Sequence, residues 1–355
     1  EVSVGKFGTG QAIRRTEDQR FLTGTGRYTD DISLENQAFL YLYRSQYAHG
    51  AITSLDVDDA RNAPGIIAVY TAADLTAAGI RDVAGMATPG SSRAEAREAL
   101  EQPPLARDRI RYVGEPVAGI VAESLAAAKD AAELIWLDVD EVDAAVTVEQ
   151  ALADSATRIH ENVPGNSYGI LEYGNREATD SVFESATHIV AIEIINNRLA
   201  PTAMEPRCCN LQYDGKTLTV YQGCQSVHVL RDRLAKSVKL DPADIHFISP
   251  DVGGAFGLKF FLQCETVVAA HAAMDIGRPV KWTADRNESF LSDLHGRVHV
   301  SHGELAIDND GRIAAMRVSI TANLGAYCSQ GGPVIAWVGA CMPTGCYDIT
   351  VAYAE

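Results

Sequence analysis

A chain of 355 residues is long enough for two domains, each with a sizeable core. Its composition, 46% hydrophobic and 22% charged, is ordinary for a soluble globular protein, and no apolar run is long enough to span a bilayer. The net charge of −17 repels polyphosphate, which argues against a surface that binds nucleic acid.

The seven cysteines show no pattern of a disulfide framework. They begin at the adjacent pair Cys208 and Cys209, are odd in number and follow no regular spacing, so we expect free thiols in a reducing cytoplasm. The segment Glu1–Lys6 lacks the apolar stretch of a secretory signal, which agrees with that location. Cys341 and Cys346 have the spacing that opens a plant-type iron–sulfur motif, but no C-x2-C pair follows, so we expect no cluster on this chain.

Residues 20 to about 150 alternate strand-like and helical stretches, which is typical of a mixed α/β domain. Short aromatic and β-branched runs predict strands over Phe39–Tyr43 and Gly65–Tyr70. A continuous apolar run predicts a buried strand over Pro116–Ala122. The alanine-rich stretch that follows, with a serine at its start, predicts a capped helix over Ser124–Ile135.

The polar segment Glu161–Asn175 is interpreted as a linker between two domains, over residues 1–155 and 165–355. Beyond it we predict strands and helices in this order: strands His188–Ile195 and Thr217–Tyr221, helix Val227–Val238, strand Ile245–Ile248, helix Phe261–Met274 ending at Gly277, and strands Val298–Ile307 and Ile313–Ala322. The turn Asp308–Gly311 joins the last two strands into a hairpin.

The run Asp251–Lys259, Asp-Val-Gly-Gly-Ala-Phe-Gly-Leu-Lys, is the most informative motif. Its glycines let a backbone approach a ligand, and Phe256 offers a flat apolar wall beside N–H donors that suit an anion or an oxo ligand. Neither nucleotide-binding motif fits, because the order is not G-x-G-x-x-G and Leu258 separates Gly257 from Lys259, where a Walker A lysine would follow glycine directly. The spacing is equally compatible with a tight strand-to-helix turn.

Other polar residues are less informative by themselves. Gln225 follows a predicted strand and, taken alone, favours an exposed residue at a helix N-terminus. His295, His299 and His302 do not form a metal motif, because His299 and His302 would point to opposite faces of a strand and no H-E-x-x-H helix is present.

Several motifs, taken in order, resemble the molybdenum hydroxylase large subunits of xanthine dehydrogenase, aldehyde oxidase and carbon monoxide dehydrogenase. Three of them are similar to the hammerhead domain that opens these subunits: Arg14–Asp18, Leu22–Asp31 and Gly114–Ala118. Four are similar to the first half of the molybdopterin-binding region: Met204–Arg207, Gln225, Asp251–Lys259 and Lys281–Arg286.

The resemblance implies an α+β fold, with an N-terminal α/β hammerhead-type domain followed by the first part of a mixed α/β molybdopterin-binding domain. It implies molybdopterin, in its simple or its cytosine dinucleotide form, with molybdenum held through the pterin dithiolene and no direct protein ligand. The implied catalytic residues are Gln225, as a donor to the apical oxo ligand, and Phe256. The implied cofactor-binding residues are Gln225, Gly254, Ala255, Phe256 and Gly257.

The family's chemistry implies hydroxylation of an sp2 carbon of a heteroaromatic or aldehyde substrate with water as the oxygen source, or oxidation of carbon monoxide. Electrons would pass to [2Fe-2S] clusters on a small subunit and to FAD on a medium subunit, in a dimer of heteromers. Purine-oxidising members carry a glutamate after the loop lysine. This chain has Phe260 there, which argues against a purine substrate.

Large subunits of this family are about twice as long as this chain, and their general base lies in the later half. Asp251 and Glu265, the carboxylates nearest the loop, do not match that base: Asp251 could cap the turn, and Glu265 lies on a core-like helix. We therefore expect the chain alone to be inactive and to need a C-terminal half or continuation. The alternative is a cofactor-free structural half that completes another chain's fold.

Overall fold

The computed structural model of the chain describes residues 13–87 and 99–355. The segment Glu1–Lys6, which lacks a signal-like apolar stretch, lies outside these ranges. Within them, no helix has both the length and the apolar composition that a membrane crossing requires.

The described part of residues 13–155 alternates short strands and helices. The strands are β1 (Ala38–Arg44), β2 (Gly50–Asp56), β3 (Ile66–Thr71), β4 (Arg109–Ile110), β5 (Pro116–Ala122) and β6 (Trp136–Glu141). The helices are α1 (Asp18–Leu22), α2 (Asp58–Arg61), α3 (Ala72–Ala77), α4 (Leu125–Ala132) and α5 (Val148–Leu152). The predicted strands β1, β3 and β5 and the predicted helix α4 are confirmed, and the side chain of Ser124 caps α4 by accepting from the amide of Ala127.

The remainder of the chain has longer elements. The strands are β7 (Tyr173–Gly174), β8 (His188–Leu199), β9 (Cys208–Tyr213), β10 (Leu218–Tyr221), β11 (Ile245–Ile248), β12 (Val280–Thr283), β13 (Gly296–Ile307), β14 (Ile313–Ala322) and β15 (Ala352–Ala354). The helices are α6 (Arg176–Ser185), α7 (Val227–Val238), α8 (Cys264–Ile276), α9 (Arg286–Ser292) and α10 (Gly332–Cys341). The predictions of β8, β10, α7, β11 and the β13–β14 hairpin are confirmed.

Helix α8 begins later than its sequence pattern suggests. The prediction placed its start at Phe261, but Leu258–Phe260 forms a separate 3-10 turn and the helix begins at Cys264. It ends, as predicted, at Gly277, whose φ of 64° closes the last turn in the left-handed conformation. Every residue from Cys264 to Ala273 is buried, so α8 is a central helix rather than an amphipathic surface helix.

A seven-stranded sheet joins the two parts of the chain, in the order β11-β10-β9-β12-β1-β5-β3. The parallel pairing of β1 with β12, Ala38 opposite Val280, connects strands from the first part to strands from the second. All residues of β5 are buried, which explains its continuous apolar run. The main core therefore includes residues from both parts, with α8 among them.

Two further sheets complete the fold. A three-stranded sheet has the order β4-β2-β6, and a five-stranded sheet has the order β7-β15-β14-β13-β8. Strand β8 lies at the edge of the latter and is exposed at nearly every position, including Ile192 and Ile195, which are 60% and 64% exposed. An apolar surface of this kind is typical of a contact face.

The segment predicted as a linker, Glu161–Asn175, is largely exposed but has a defined turn. It contains the 3-10 turn Pro164–Asn166, and Val163 and Tyr168 are buried. The side chain of Asn166 accepts from the amide of Ile159 and donates to the carbonyls of Ala151 and Thr157. The polar composition of this segment therefore serves local hydrogen bonds within a fixed turn.

Candidate functional site

The glycine loop Asp251–Lys259 leaves β11 and enters the 3-10 turn before α8. Gly254 has a φ of 102°, a conformation that favours glycine. Phe256 has a φ of 51°, although it is not a glycine, and its side chain is 74% exposed. A bulky residue with a left-handed backbone conformation costs on the order of 1–3 kcal/mol. Backbone strain of this kind is concentrated at functional sites.

The loop presents a row of free amide groups. Among the described residues, no protein group accepts from the backbone N–H of Gly254, Ala255, Phe256 or Gly257. The neighbouring Gly253 amide, in contrast, donates a hydrogen bond to a carboxylate. Four successive unpaired donors at a partly exposed turn form a site for an anion or for ligand oxygen atoms.

Gln225 is hydrogen-bonded to the C-terminal end of the glycine loop. Its backbone amide donates to the carbonyl of Lys259 at 3.0 Å, and the preceding amide of Cys224 donates to Ser249 Oγ at 3.1 Å. The sequence suggested a residue at the end of a strand, but β10 ends at Tyr221, so Gln225 lies in the connection before α7. Its side chain is exposed and free of protein partners among the described residues. The structure thus links Gln225 to the loop through Lys259, and the role of Gln225, Gly254, Ala255, Phe256 and Gly257 as site residues stays a prediction.

A buried ion pair, which the sequence analysis did not assign to the site, lies under the loop. Glu205 Oε2 accepts from Lys259 Nζ at 2.7 Å and from the amide of Gly253 at 2.8 Å. Lys259 also donates to the backbone carbonyl of Glu205 at 3.0 Å, and Lys259 is only 4% exposed. A lysine in an otherwise apolar turn is the one sequence signal for this pair, because a buried ammonium group requires a carboxylate partner.

The two carboxylates nearest the loop in sequence are both held in ion pairs. Asp251 accepts from the backbone amide of Arg27 at 2.8 Å and pairs with the guanidinium of Arg20. Glu265 is buried and pairs with the guanidinium groups of Arg44 at 2.7 Å and Arg207 at 2.8 Å.

Burial alone would raise the pKa of Glu265, but the two guanidinium groups outweigh it and lower the pKa to about 2. This carboxylate therefore stays charged and paired at neutral pH. Together, these contacts indicate that Asp251 and Glu265 have structural roles.

A cavity of about 730 Å³ opens on one side of the loop. Phe256, Gly257 and Leu258 line it from the loop, and Tyr112 and Tyr327 line it from other parts of the chain. Its aromatic lining suits a flat apolar molecule. In the described residues, no three or more histidine, cysteine or acidic side chains form a group that could hold a metal ion.

The fold and the loop together define a class, the molybdopterin-binding proteins. Residues 159–355 match the molybdopterin cofactor-binding domain, and residues 23–143 match the a/b hammerhead domain of aldehyde oxidase and xanthine dehydrogenase. The chain belongs to this family of molybdenum hydroxylase large subunits, as its motifs predicted. The mixed α/β fold class, a hammerhead domain followed by a molybdopterin-binding domain, is confirmed as well.

Relatives match the chain almost throughout. The nicotine 6-hydroxylase large subunit of Paenarthrobacter nicotinovorans is 34% identical over 350 residues, which cover 97% of this chain and 42% of that subunit. The carbon monoxide dehydrogenase large chain of Afipia carboxidovorans is 31% identical over 362 residues, covering 98% of this chain and 43% of that one.

A solved structure also matches almost the whole chain. Quinoline 2-oxidoreductase from Pseudomonas putida 86 superposes on the chain with a TM-score of 0.89 at 30% identity, covering 97% of this chain and 43% of that one. The chain thus spans less than half the length of the relatives that it matches.

Proposed function

We propose that the chain is the cofactor-binding part of the catalytic subunit of a molybdenum hydroxylase. The observation that carries the proposal is the row of free amides over Gly254–Gly257, with the exposed Gln225 bonded through its backbone to Lys259 at the end of the same loop. The backbone row offers only donors, and Gln225 adds a side-chain amide that can also donate. This donor set fits the oxygen atoms of molybdopterin with molybdenum, and it requires no direct protein ligand to the metal.

When bound, the cofactor supplies the two-electron oxidation that introduces oxygen from water at a carbon atom. The residues of this chain orient groups and stabilise charge. Gln225 donates to a cofactor oxygen, and the amides of Ala255, Phe256 and Gly257 stabilise negative charge on neighbouring oxygen atoms. The exposed ring of Phe256 packs against a flat substrate and excludes water from the reacting face.

The general base, in this proposal, comes from outside these residues. Asp251 is held by Arg20, and Glu265 is held by two guanidinium groups with its pKa lowered to about 2. A carboxylate so strongly paired is a poor proton acceptor at neutral pH. The base is supplied by the continuation of the large subunit or by a separate C-terminal half.

We propose a heteroaromatic or aldehyde substrate rather than a purine. Phe260 follows Lys259 directly and packs edge-on against Phe261, with ring centroids 5.5 Å apart, so its side chain offers no hydrogen bond to a purine. Relatives named for nicotine hydroxylation and quinoline oxidation support a nitrogen heteroaromatic. The carbon monoxide dehydrogenases among the relatives keep carbon monoxide as the alternative substrate.

The relatives' names support the presence of partner subunits in general. Those names describe large subunits or chains of multi-subunit enzymes. We propose a FAD-binding medium subunit and a [2Fe-2S] small subunit as electron acceptors, a dimer of heteromers in the cytoplasm, and molybdopterin in its simple or cytosine dinucleotide form.

The test compares the 355-residue chain with the full protein and its partners. Molybdenum per chain is measured by mass spectrometry, and turnover of aldehydes, nitrogen heteroaromatics and carbon monoxide is measured with an artificial electron acceptor. The full assembly should hold molybdenum and turn over one of these substrate classes, whereas the chain alone should do neither. An assembly without molybdenum would favour the cofactor-free structural role. If the isolated chain is active, Asp251 or Glu265 becomes the candidate base.

A further inference from the structure

Three segments meet at the carboxylate of Glu205. The first is its own segment, whose backbone pairs with the loop through the Glu205 amide and the Gly253 carbonyl at 3.0 Å. The second is the glycine loop, through Gly253 and Lys259. The third is the segment before Gln225: a Cβ at Gly223 would lie 3.4 Å from Glu205 Oε2 and 3.6 Å from Oε1.

The packing around this carboxylate is close enough to exclude side chains. A Cβ built at Gly253 would lie 2.6 Å from the Cβ of Glu205, so only glycine allows the loop to approach this closely. On the other side, the amide of Gly223 donates to Thr29 Oγ1 at 2.8 Å, which fixes that segment as well. The three segments therefore have little freedom to shift relative to one another.

The contacts connect the ion pair to the site. The amide of Gln225 donates to the carbonyl of Lys259, and the ammonium group of the same lysine is held by Glu205. A displacement of Lys259 therefore moves the anchor of Gln225 and the end of the free amide row together. Glu205 Oε1 is buried with no protein partner among the described residues, so the pair is not built for maximal stability.

We propose that Glu205 and Lys259 form a positioning pair that fixes the distance between the Gln225 side chain and the free amides of Gly254–Gly257. The inference rests on the proposed function, because that distance matters only if both donor sets hold one cofactor. Donors preorganised in this way act without rearrangement during the reaction, and a misplacement of about 1 Å can lower a rate about a hundredfold.

The experiment uses the full protein with its partners and the variant Glu205→Gln, which keeps the side-chain shape and removes its charge. The measurements are molybdenum content, the electron paramagnetic resonance spectrum of the bound molybdenum, hydrogen exchange of the bonded amides of Gly253 and Gln225, and kcat and KM. We expect kcat to fall about ten- to a hundredfold with little change in KM. We also expect an altered spectrum and faster amide exchange.

Two further variants separate positioning from stability. Lys259→Arg keeps the charge pair and should retain most of the turnover and the spectrum. The matched control is Glu288→Gln, which breaks another buried ion pair, with Arg44 at 2.6 Å, and does not touch the loop. It should lower the thermal midpoint. It should change kcat by less than about twofold and leave the spectrum unchanged.

The proposal is overturned if Glu205→Gln leaves the spectrum, the amide exchange and kcat as in the unmodified protein, or if Glu288→Gln reproduces all of its effects. If Glu205→Gln does not fold, Glu205→Asp is judged by the same criteria, because the shorter side chain keeps the charge but cannot reach both Gly253 and Lys259. An unmodified assembly without molybdenum would instead contradict the proposed function, and the exchange rates of the Gly253 and Gln225 amides would still decide whether the pair fixes the loop.

Discussion

Gln225 and Phe256 combine exposed side chains with a constrained backbone. The amide of Gln225 is bonded to the carbonyl of Lys259, and Phe256 has a left-handed φ of 51°. An exposed phenylalanine on a strained backbone gains nothing from burial in this chain. Its conformation is explained if a ligand or another part of the protein covers the ring.

The first prediction concerns Gln225. Because its side chain has no protein partner among the described residues, Gln225→Ala should leave the thermal midpoint unchanged. Turnover of the full assembly should fall about ten- to a thousandfold, as expected for loss of a preorganised donor. Gln212→Ala, at an exposed position of β9, is the control. Unchanged turnover at full molybdenum occupancy would remove Gln225 from the site.

Glu115 is a buried carboxyl group that connects distant parts of the chain. It is 1% exposed, accepts from the hydroxyl of Tyr327 at 2.7 Å and accepts from the amide of Arg111 at 2.6 Å. Burial raises the pKa of Glu115 from 4.5 to about 7 despite these donors. A raised pKa means that the folded state holds this proton more tightly than the unfolded chain does.

The second prediction is a pH dependence of stability. The contribution of Glu115 to the free energy of unfolding is fully present below about pH 4.5 and is lost as the pH rises to about 7. This pKa difference corresponds to a loss of roughly 3 kcal/mol. Urea unfolding between pH 5 and 8 should show this fall, and Glu115→Gln should flatten the curve. If Glu115→Gln loses stability with rising pH as steeply as the unmodified chain, other groups cause the pH dependence.

At the scale of elements, a cluster of buried charges ties the Met204–Arg207 segment to the core. Arg207 pairs with Glu265 on α8 at 2.8 Å and with Asp293, directly after α9, at 2.6 Å. Glu265 in turn pairs with Arg44 of β1. The cluster therefore joins a strand, two helices and the segment that carries Glu205.

The third prediction follows from this cluster. Glu265→Gln leaves two buried guanidinium groups without their shared carboxylate and should lower the free energy of unfolding by about 3–5 kcal/mol. Chemical denaturation monitors the change. Glu123→Gln removes the exposed pair with Arg278 and should have little effect. If Glu265→Gln lowers the free energy of unfolding only slightly, the cluster contributes little to folding.

Local patterns predicted eleven of the 25 helices and strands labelled above in the described residues. The bounds of α7 and β11 agree with the sequence because apolar spacing and turn residues are local signals. The start of α8 was misplaced because Phe261 and Leu262 continue the apolar run of the helix, although Phe261 and Gln263 have an extended backbone. At the site, the glycine motif and Gln225 were found, but the pairing of Glu205 with Lys259 was not, because contacts between separate segments leave no periodic pattern.

For the whole molecule, the fourth prediction concerns the cysteines. All seven are free thiols, with Cys341 and Cys346 exposed, and burial raises the pKa of Cys208 to about 12. A chromogenic disulfide reagent should therefore react quickly with the two exposed thiols and with all seven after denaturation. Serine substitution of Cys341 and Cys346 should remove the fast phase. Iron and sulfide bound to this chain in stoichiometric amounts would contradict this interpretation.

Large-scale topology was the least predictable feature. The division into domains over residues 1–155 and 165–355 stays a prediction, but no local pattern indicates that β1 and β12 lie side by side in a single sheet. Strand pairing between distant segments depends on the three-dimensional packing of α8 and its neighbours and not on the composition of either strand.

The β1–β12 pairing also has a consequence for biosynthesis. At ordinary rates of translation, Val280 leaves the ribosome roughly 10 to 50 seconds after Ala38, its partner in the sheet. During that interval β1 can pair with β5, and β5 with β3, but the other edge of β1 stays open and the buried face of α8 does not yet exist. The nascent chain therefore exposes an apolar strand edge for many seconds, and a chaperone that covers it would protect the polypeptide from aggregation until the sheet closes.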